Sequence, residues 1–184
     1  MDKLKGCILA FDNLLNKEYY IKAGKKQLLL EVQLFFEKPH FHHLIGLNKL
    51  RDIRQVTRNT PTLYADIMDG RITYNDICKS VFYNEIADRL EYFPYLEKML
   101  DSEDVIIKHN WSMAKSSVMA KAIIYSKIDD LYVHYFIDVA EHNSKYFGRT
   151  FFTRLDRLYL HDRPYKILEK RKYIDGLEVE IPKV

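Results

Sequence analysis

Apolar residues recur at intervals of three and four through the first half of the chain, and at every second position in most of the second half. Leu4, Ile8, Phe11, Leu15 and Tyr19 fall on one side of a helical wheel, which predicts an amphipathic helix over Lys3–Tyr20 with Ala23-Gly24 as its stop. Leu28, Leu30, Val32, Leu34 and Phe36 then alternate with Leu29, Glu31, Gln33 and Phe35, predicting a strand over Gln27–Phe36. Pro39 ends that strand and can seat the first turn of a helix running from His40 to about Arg58. Thr60-Pro61 opens a short helix that Gly70 closes, and Thr73 with Asp76 forms a capping box for the next. Phe82 to Glu91 is helical by Ile86 and Leu90. Pro94 kinks or restarts it, and Leu96 and Leu100 continue the stripe.

After Ser102 the period changes to two. Strands are predicted over Asp104–His109, Ser117–Lys127, Leu131–Val139, Tyr146–Thr153 and Tyr165–Tyr173, with Asp129-Asp130 as a hairpin turn. On the fourth of these, strict alternation puts Gly148, Thr150 and Phe152 on one face and Arg149, Phe151 and Thr153 on the other. Helices first and strands later predict an α+β fold, with an N-terminal helical block packed on a mainly antiparallel sheet. No repeat, low-complexity tract or linker interrupts the chain, so residues 1–184 read as one domain.

Composition changes this picture in two places. The chain carries a net +3, but residues 145–184 hold ten Lys/Arg against six Asp/Glu, so the other 144 residues sum to −1. A basic C-terminal part is compatible with phosphate binding, and equally with a solvated strand face. Fourteen tyrosines and ten phenylalanines fit either a β-rich core with wet edges or a surface that stacks on bases. Cys7 and Cys78 match no metal or redox spacing and read as thiols of a reducing compartment. No signal peptide or spanning run is legible, which makes a cytoplasmic protein with no membrane partner the expectation.

The candidate chemistry starts at Phe36-Glu37-Lys38-Pro39-His40-Phe41-His42-His43-Leu44-Ile45-Gly46-Leu47, which holds three of the seven histidines in four positions. In a helix, His40 and His43 share a face with Leu44 and Leu47, while His42 points elsewhere. Imidazole can exchange protons near neutral pH, but such a histidine also caps and packs. His40-x-x-His43 lacks the Glu and spacing of a zinc hydrolase, and no third ligand follows, so no metal and no cofactor is expected. Gly-rich phosphate loops and nucleophile elbows are absent from the sequence. The remaining polar set suits metal-free RNA cleavage. That reaction needs a base for the ribose 2′-OH, an acid for the leaving 5′-oxygen, and donors around the phosphorus. His40, His43, Arg89 and the run Arg149-Thr150-Phe151-Phe152-Thr153 can supply these.

Three stretches resemble the phage-associated Barnase–EndoU–colicin–RelE-like nuclease domains, specifically their fourth group. They are the histidine run with its His-Leu-x-Gly-Leu core, Asp88-Arg89-Leu90-Glu91-Tyr92-Phe93-Pro94-Tyr95-Leu96-Glu97, and Gly148-Arg149-Thr150-Phe151-Phe152 followed by Tyr165-Lys166-Ile167-Leu168-Glu169-Lys170. The resemblance implies helices on a curved antiparallel sheet, metal-independent cleavage of RNA such as tRNA or mRNA, and a phage or other mobile element acting in a bacterial cytoplasm. It implies His43, Arg89 and Thr150 as polar positions of an active site, and His40 stays a catalytic candidate from its helical spacing to His43. Arg149, Thr153, Lys166 and Lys170 are the candidate substrate contacts. An antitoxin or a host defence protein is the implied protein partner. A nuclease fold used only to bind such a partner, or a guide RNA, is the alternative reading.

Overall fold

The computed structural model describes residues 2–102, 105–109, 118–128, 130–160 and 163–181. Among these residues, eight strands form one sheet in the order β3-β4-β5-β6-β2-β1-β7-β8. They are β1 (Lys17–Lys25), β2 (Leu28–Leu34), β3 (Val105–Lys108), β4 (Ala122–Ile128), β5 (Leu131–Val139), β6 (Tyr146–Arg154), β7 (Lys166–Ile174) and β8 (Leu177–Val179). Every pairing of these strands is antiparallel except β2 with β6, which meet in parallel at Leu34 and Tyr146. A bridge from Ile106 to Tyr165 ties β3 back to the start of β7, so the sheet curls on itself. The architecture is the expected α+β one.

Among the described residues, seven short α-helices precede β3: α1 (Lys3–Asp12), α2 (Lys38–Leu44), α3 (Arg54–Thr57), α4 (Leu63–Met68), α5 (Tyr74–Ile77), α6 (Ala87–Tyr92) and α7 (Leu96–Asp101). Leu4, Cys7, Ile8 and Phe11 of α1 are buried. Phe11 packs against Phe36, Phe41 and Phe93, and Phe93 meets Phe151 of β6 edge-on at 5.4 Å. Helices α2 and α6 both lie on β6, which brings the histidine run and Arg89 to one strand. Thr73 and Asp76 cap α5 reciprocally, as their spacing predicts.

Three expectations need correction. The helix predicted over Lys3–Tyr20 ends at Asp12, and Lys17–Lys25 is a strand. Tyr19, Ile21 and Ala23 are buried while their neighbours are half-buried, a period of two that pairing with β2 and β7 imposes. Gly24 is therefore mid-strand, where the side chains of Leu29 and Leu168 close over it, and does not stop a helix. The helix predicted from His40 to Arg58 breaks at Gly46, whose φ of 78° lies in the left-handed region. The strand predicted from Ser117 begins at Ala122. Asp104, Ser117 and Asp129 lie outside the described residues.

Buried charge fastens the helical layer to the sheet. Lys172 of β7 bonds Asp101 at 2.7 Å and Glu97 at 2.9 Å, both on α7, and Lys17 also bonds Glu97. Tyr19 donates its hydroxyl to Asp101 at 2.7 Å. Burial works against the Glu97 carboxylate, and hydrogen bonds from Lys17 and Lys172 outweigh it, so its pKa falls below the ordinary value.

Candidate active site

The site is built where α2 ends. His43 lies in its last turn, and Leu44 beside it is buried in the core. At the end of α2 the carbonyls of His43 and Leu44 face the turn at Gly46, whose N–H bonds His43 O at 3.2 Å. Arg89 of α6 takes them up: its Nη1 donates to Leu44 O at 3.2 Å and His43 O at 3.5 Å. A cation on a helix C-terminus is favourable for the last carbonyls and for the helix dipole. A Cβ at Gly46 would sit 2.8 Å from the Ile86 side chain and 3.1 Å from Arg89 Cδ and Nε. The glycine of the His-Leu-x-Gly-Leu core thus supplies both the turn and the room for the arginine.

Arg89 Nη1 also donates to Thr150 Oγ1 at 2.9 Å, and its guanidinium lies 5.6 Å over the Phe152 ring. The residue is only 4% exposed, and its buried Nε has no hydrogen-bond partner among the described residues. Burial pushes the guanidinium down to about 10, against the pull of Asp88 and Glu85, so it stays charged at neutral pH. On the same helix Asp88 accepts from Thr153 N at 2.7 Å and Thr153 Oγ1 at 3.0 Å, pinning α6 to β6.

A register shift in β6 sets which side chains face this point. Phe136 pairs with Thr150 and Ile137 with Gly148, so Arg149 is an extra residue, a β-bulge. Gly148 therefore lies toward the main core, where a Cβ would come within 2.8 Å of Leu44 and closer still to Tyr135. Phe151 faces the same core, and Thr150 and Phe152 face away from it with Phe136. The strict alternation that grouped Gly148 with Thr150 and Phe152 is broken by the bulge. An exposed arginine next to Thr150 results.

These residues line one cleft of about 810 Å³. His43, Lys49, Arg89, Arg149 and Thr150 form its cationic part. Asn84, Glu85 and Asp88 line it from the helical side, and Thr153, Arg154 and Tyr159 extend it along the sheet. Burial, and then Arg149, hold the exposed His43 imidazole below its ordinary value, favouring the neutral base. Burial, and then Arg89, likewise lower the Lys49 ammonium against Glu85 and Asp88.

Of the sequence candidates, His43, Arg89, Arg149, Thr150 and Thr153 meet in this cleft. His40 does not line it. Its ring stacks on Phe147 at 4.9 Å, and its Nδ1 accepts from Glu37 N at 3.2 Å as part of the α2 capping box. His42 is buried, its Nε2 2.8 Å from Val56 O. Lys166 and Lys170 lie on β7, three strands from β6, and Lys170 reaches the carbonyls of Leu100 and Ser102. Lys49, Glu85 and Asp88 escaped the sequence reading. Asp88 stands next to Arg89 in the chain, whereas Lys49 carries no signal beyond following Gly46. No group of three or more His, Cys, Asp or Glu among the described residues could hold a metal ion, and no helix among them is long and apolar enough to cross a membrane.

Compared with known proteins, residues 3–175 match a family model described as phage-Barnase-EndoU-ColicinE5/D-RelE like nuclease 4. No curated protein and no solved structure matches significantly.

Proposed function

Because the chain belongs to the phage-Barnase-EndoU-ColicinE5/D-RelE like nuclease 4 family, we propose that it is a metal-independent endoribonuclease of a phage or mobile element, acting on host RNA through the cleft at the end of α2. The observation that carries this reading is the meeting of a neutral-leaning imidazole, a positioned buried arginine and an exposed arginine at one concave point. His43 takes the proton of the ribose 2′-OH. The 2′-oxygen attacks phosphorus, the bond to the 5′-oxygen breaks as that oxygen takes a proton from water, and a 2′,3′-cyclic phosphate remains while the His43 imidazolium gives its proton back to solvent. Arg149 and the Arg89–Thr150 pair face the charge that grows on the phosphoryl oxygens, where fixed donors contribute most.

The test is cleavage of total bacterial RNA at neutral pH with EDTA present, with the product ends identified. Cleavage to 2′,3′-cyclic phosphate ends is expected. His43→Ala is expected to lose on the order of 10² to 10⁴ in rate, the usual contribution of general acid–base catalysis. Unchanged rates in that variant reject the site. No cleavage of any cellular RNA, together with tight capture of a host defence protein or antitoxin by the wild type, supports the binding-only alternative.

A further inference from the structure

Strand β6 parts early from one of its neighbours. It meets β2 only at Leu34 and Tyr146, where Phe35 N donates to Tyr146 O at 3.0 Å as the two strands separate. Beyond that point, among the described residues, β6 pairs only with β5. A backbone N–H left at such an edge needs an acceptor. At Thr153 helix α6 supplies one. Asp88 Oδ2 takes the backbone N–H at 2.7 Å and the hydroxyl at 3.0 Å. Hydrogen bonds to a carboxylate are among the strong ones, so this contact fixes where α6 sits along β6. It also occupies both donors of Thr153, a residue expected from the sequence to touch substrate.

Arg89 is the next residue of α6, and its guanidinium is tied by one nitrogen. Nη1 donates to Thr150 Oγ1, Leu44 O and His43 O. Nε is buried without a partner among the described residues. Nη2 has no partner among them either, but it is not sealed off as Nε is, and Arg89 lines the cleft. A planar group anchored at one nitrogen can still turn about it. The Phe152 ring, 5.6 Å from the guanidinium carbon, restrains one face. The other restraint is the place of the Arg89 backbone. Two β6 threonines three positions apart, Thr150 and Thr153, engage two adjacent residues of α6, Arg89 and Asp88.

Resting on the ribonuclease reading, we propose that Asp88 is a positioning residue: by taking both donors of Thr153 it sets α6 on the edge of β6 and so aims Arg89 Nη2 at the phosphoryl oxygens in the cleft. Asp88 itself touches no reacting atom. Thr153 belongs to the same device and holds the helix instead of the substrate. A donor fixed on the oxygens where charge develops contributes more in the transition state than in the bound ground state. Losing the device therefore slows the chemical step and leaves RNA binding in place.

Hydrogen exchange of the Arg89 guanidinium in the full chain, followed by NMR, tests this without turnover, with Arg89→Lys identifying the signals. Exchange is read relative to the backbone amides of β5, so that a general loss of stability cancels. Asp88→Ala is expected to speed the relative exchange about tenfold or more, the order of a lost hydrogen bond to a charged group. Asp88→Asn, whose amide oxygen accepts the same N–H, is expected to stay much closer to the wild type. Thr153→Val deletes only the hydroxyl donor. It is expected to give a smaller increase in the same direction, and it decides the matter where Asp88→Ala does not fold. In single-turnover cleavage of bacterial RNA, Asp88→Ala is expected to lower the rate about tenfold or more with RNA binding unchanged, and to cost less than about twofold in an Arg89→Ala background. Wild-type exchange in folded Asp88→Ala, or in Thr153→Val where that variant decides, overturns the proposal, as does an equal loss of rate with and without Arg89. Absence of cleavage by the wild type rejects the ribonuclease reading alone, and the exchange ratio still decides whether Asp88 places Arg89.

Discussion

At the residue scale, the site turns on a glycine. The spacing His-Leu-x-Gly-Leu is plain in the sequence, and so is Arg89, but their dependence on each other is not. It arises because Gly46 adopts φ 78° and leaves the space that Arg89 and Ile86 fill. A one-dimensional pattern shows that a glycine is there; it cannot show which distant side chain occupies the missing Cβ. His40 makes the converse point. It looked equivalent to His43 by helical spacing, yet capping and stacking on Phe147 engage it one turn away from the cleft. Gly46→Ala is expected to destabilise the fold by about 2 kcal/mol or more, from the left-handed backbone and the crowding together. It should also lower any nuclease rate beyond what the lost folded fraction explains, because Arg89 must shift. Urea denaturation read beside single-turnover cleavage separates the two effects, and a Gly46→Ala variant with wild-type stability and rate rejects the argument.

At the element scale, the strands from β5 onward were legible because alternation there coincides with burial. Leu131–Val139 is a strand with the expected ends. Strand β1 was not legible, since Leu15 and Tyr19 continue the wheel of Leu4, Ile8 and Phe11 by coincidence of spacing, and only pairing with β2 and β7 decides otherwise. The three-residue β8 was also absent from the reading, its pairing with β7 being too short to leave a pattern. The bulge at Arg149 was invisible for a related reason: one extra residue is defined against its partner strand. The clamp of α7 onto the sheet is a further feature of this kind, made by Lys17 and Lys172 with Glu97 and Asp101. Lys172→Met leaves two mostly buried carboxylates with less compensation and is expected to cost about 3 kcal/mol. Lys172→Met/Asp101→Asn removes a charge of each sign and should recover part of that loss. A chemical denaturation series on the wild type, the single and the double variant checks this, and an equal loss in the two variants would point to packing alone.

At the scale of the whole molecule, the histidines make the fold acid-sensitive. Burial lowers His40, His42 and His43, and it lowers His134 to about 4. His134 is fully buried, and neither ring nitrogen has a hydrogen-bond partner among the described residues, although the Tyr132 backbone lies close enough to favour the charged form slightly. In the unfolded chain these imidazoles take up protons near their ordinary value of about 6.5. Between that pH and the lower folded values, the unfolded state holds more protons than the native state, so stability increases with pH. The histidine contribution is therefore complete above about pH 6.5 and is lost progressively on acidification, with His134 the last to yield, at about pH 4. Below that, protonation of Glu18, Glu97, Asp76 and Asp156, whose pKa values all lie below the ordinary carboxylate range, removes further stability. Urea midpoints measured from about pH 7.5 to about pH 4.5 are expected to fall steadily. His134→Phe preserves the ring stack with Phe152 and Phe136 while deleting the titrating group and the two unpartnered nitrogens. Its profile should be shallower by up to about 1.4 kcal/mol per pH unit across the window in which the wild-type imidazole is neutral folded and charged unfolded. Parallel profiles for the two proteins would show that His134 is protonated in the native state, or that protons enter the fold elsewhere, and would remove the aromatic nest from the account of acid stability.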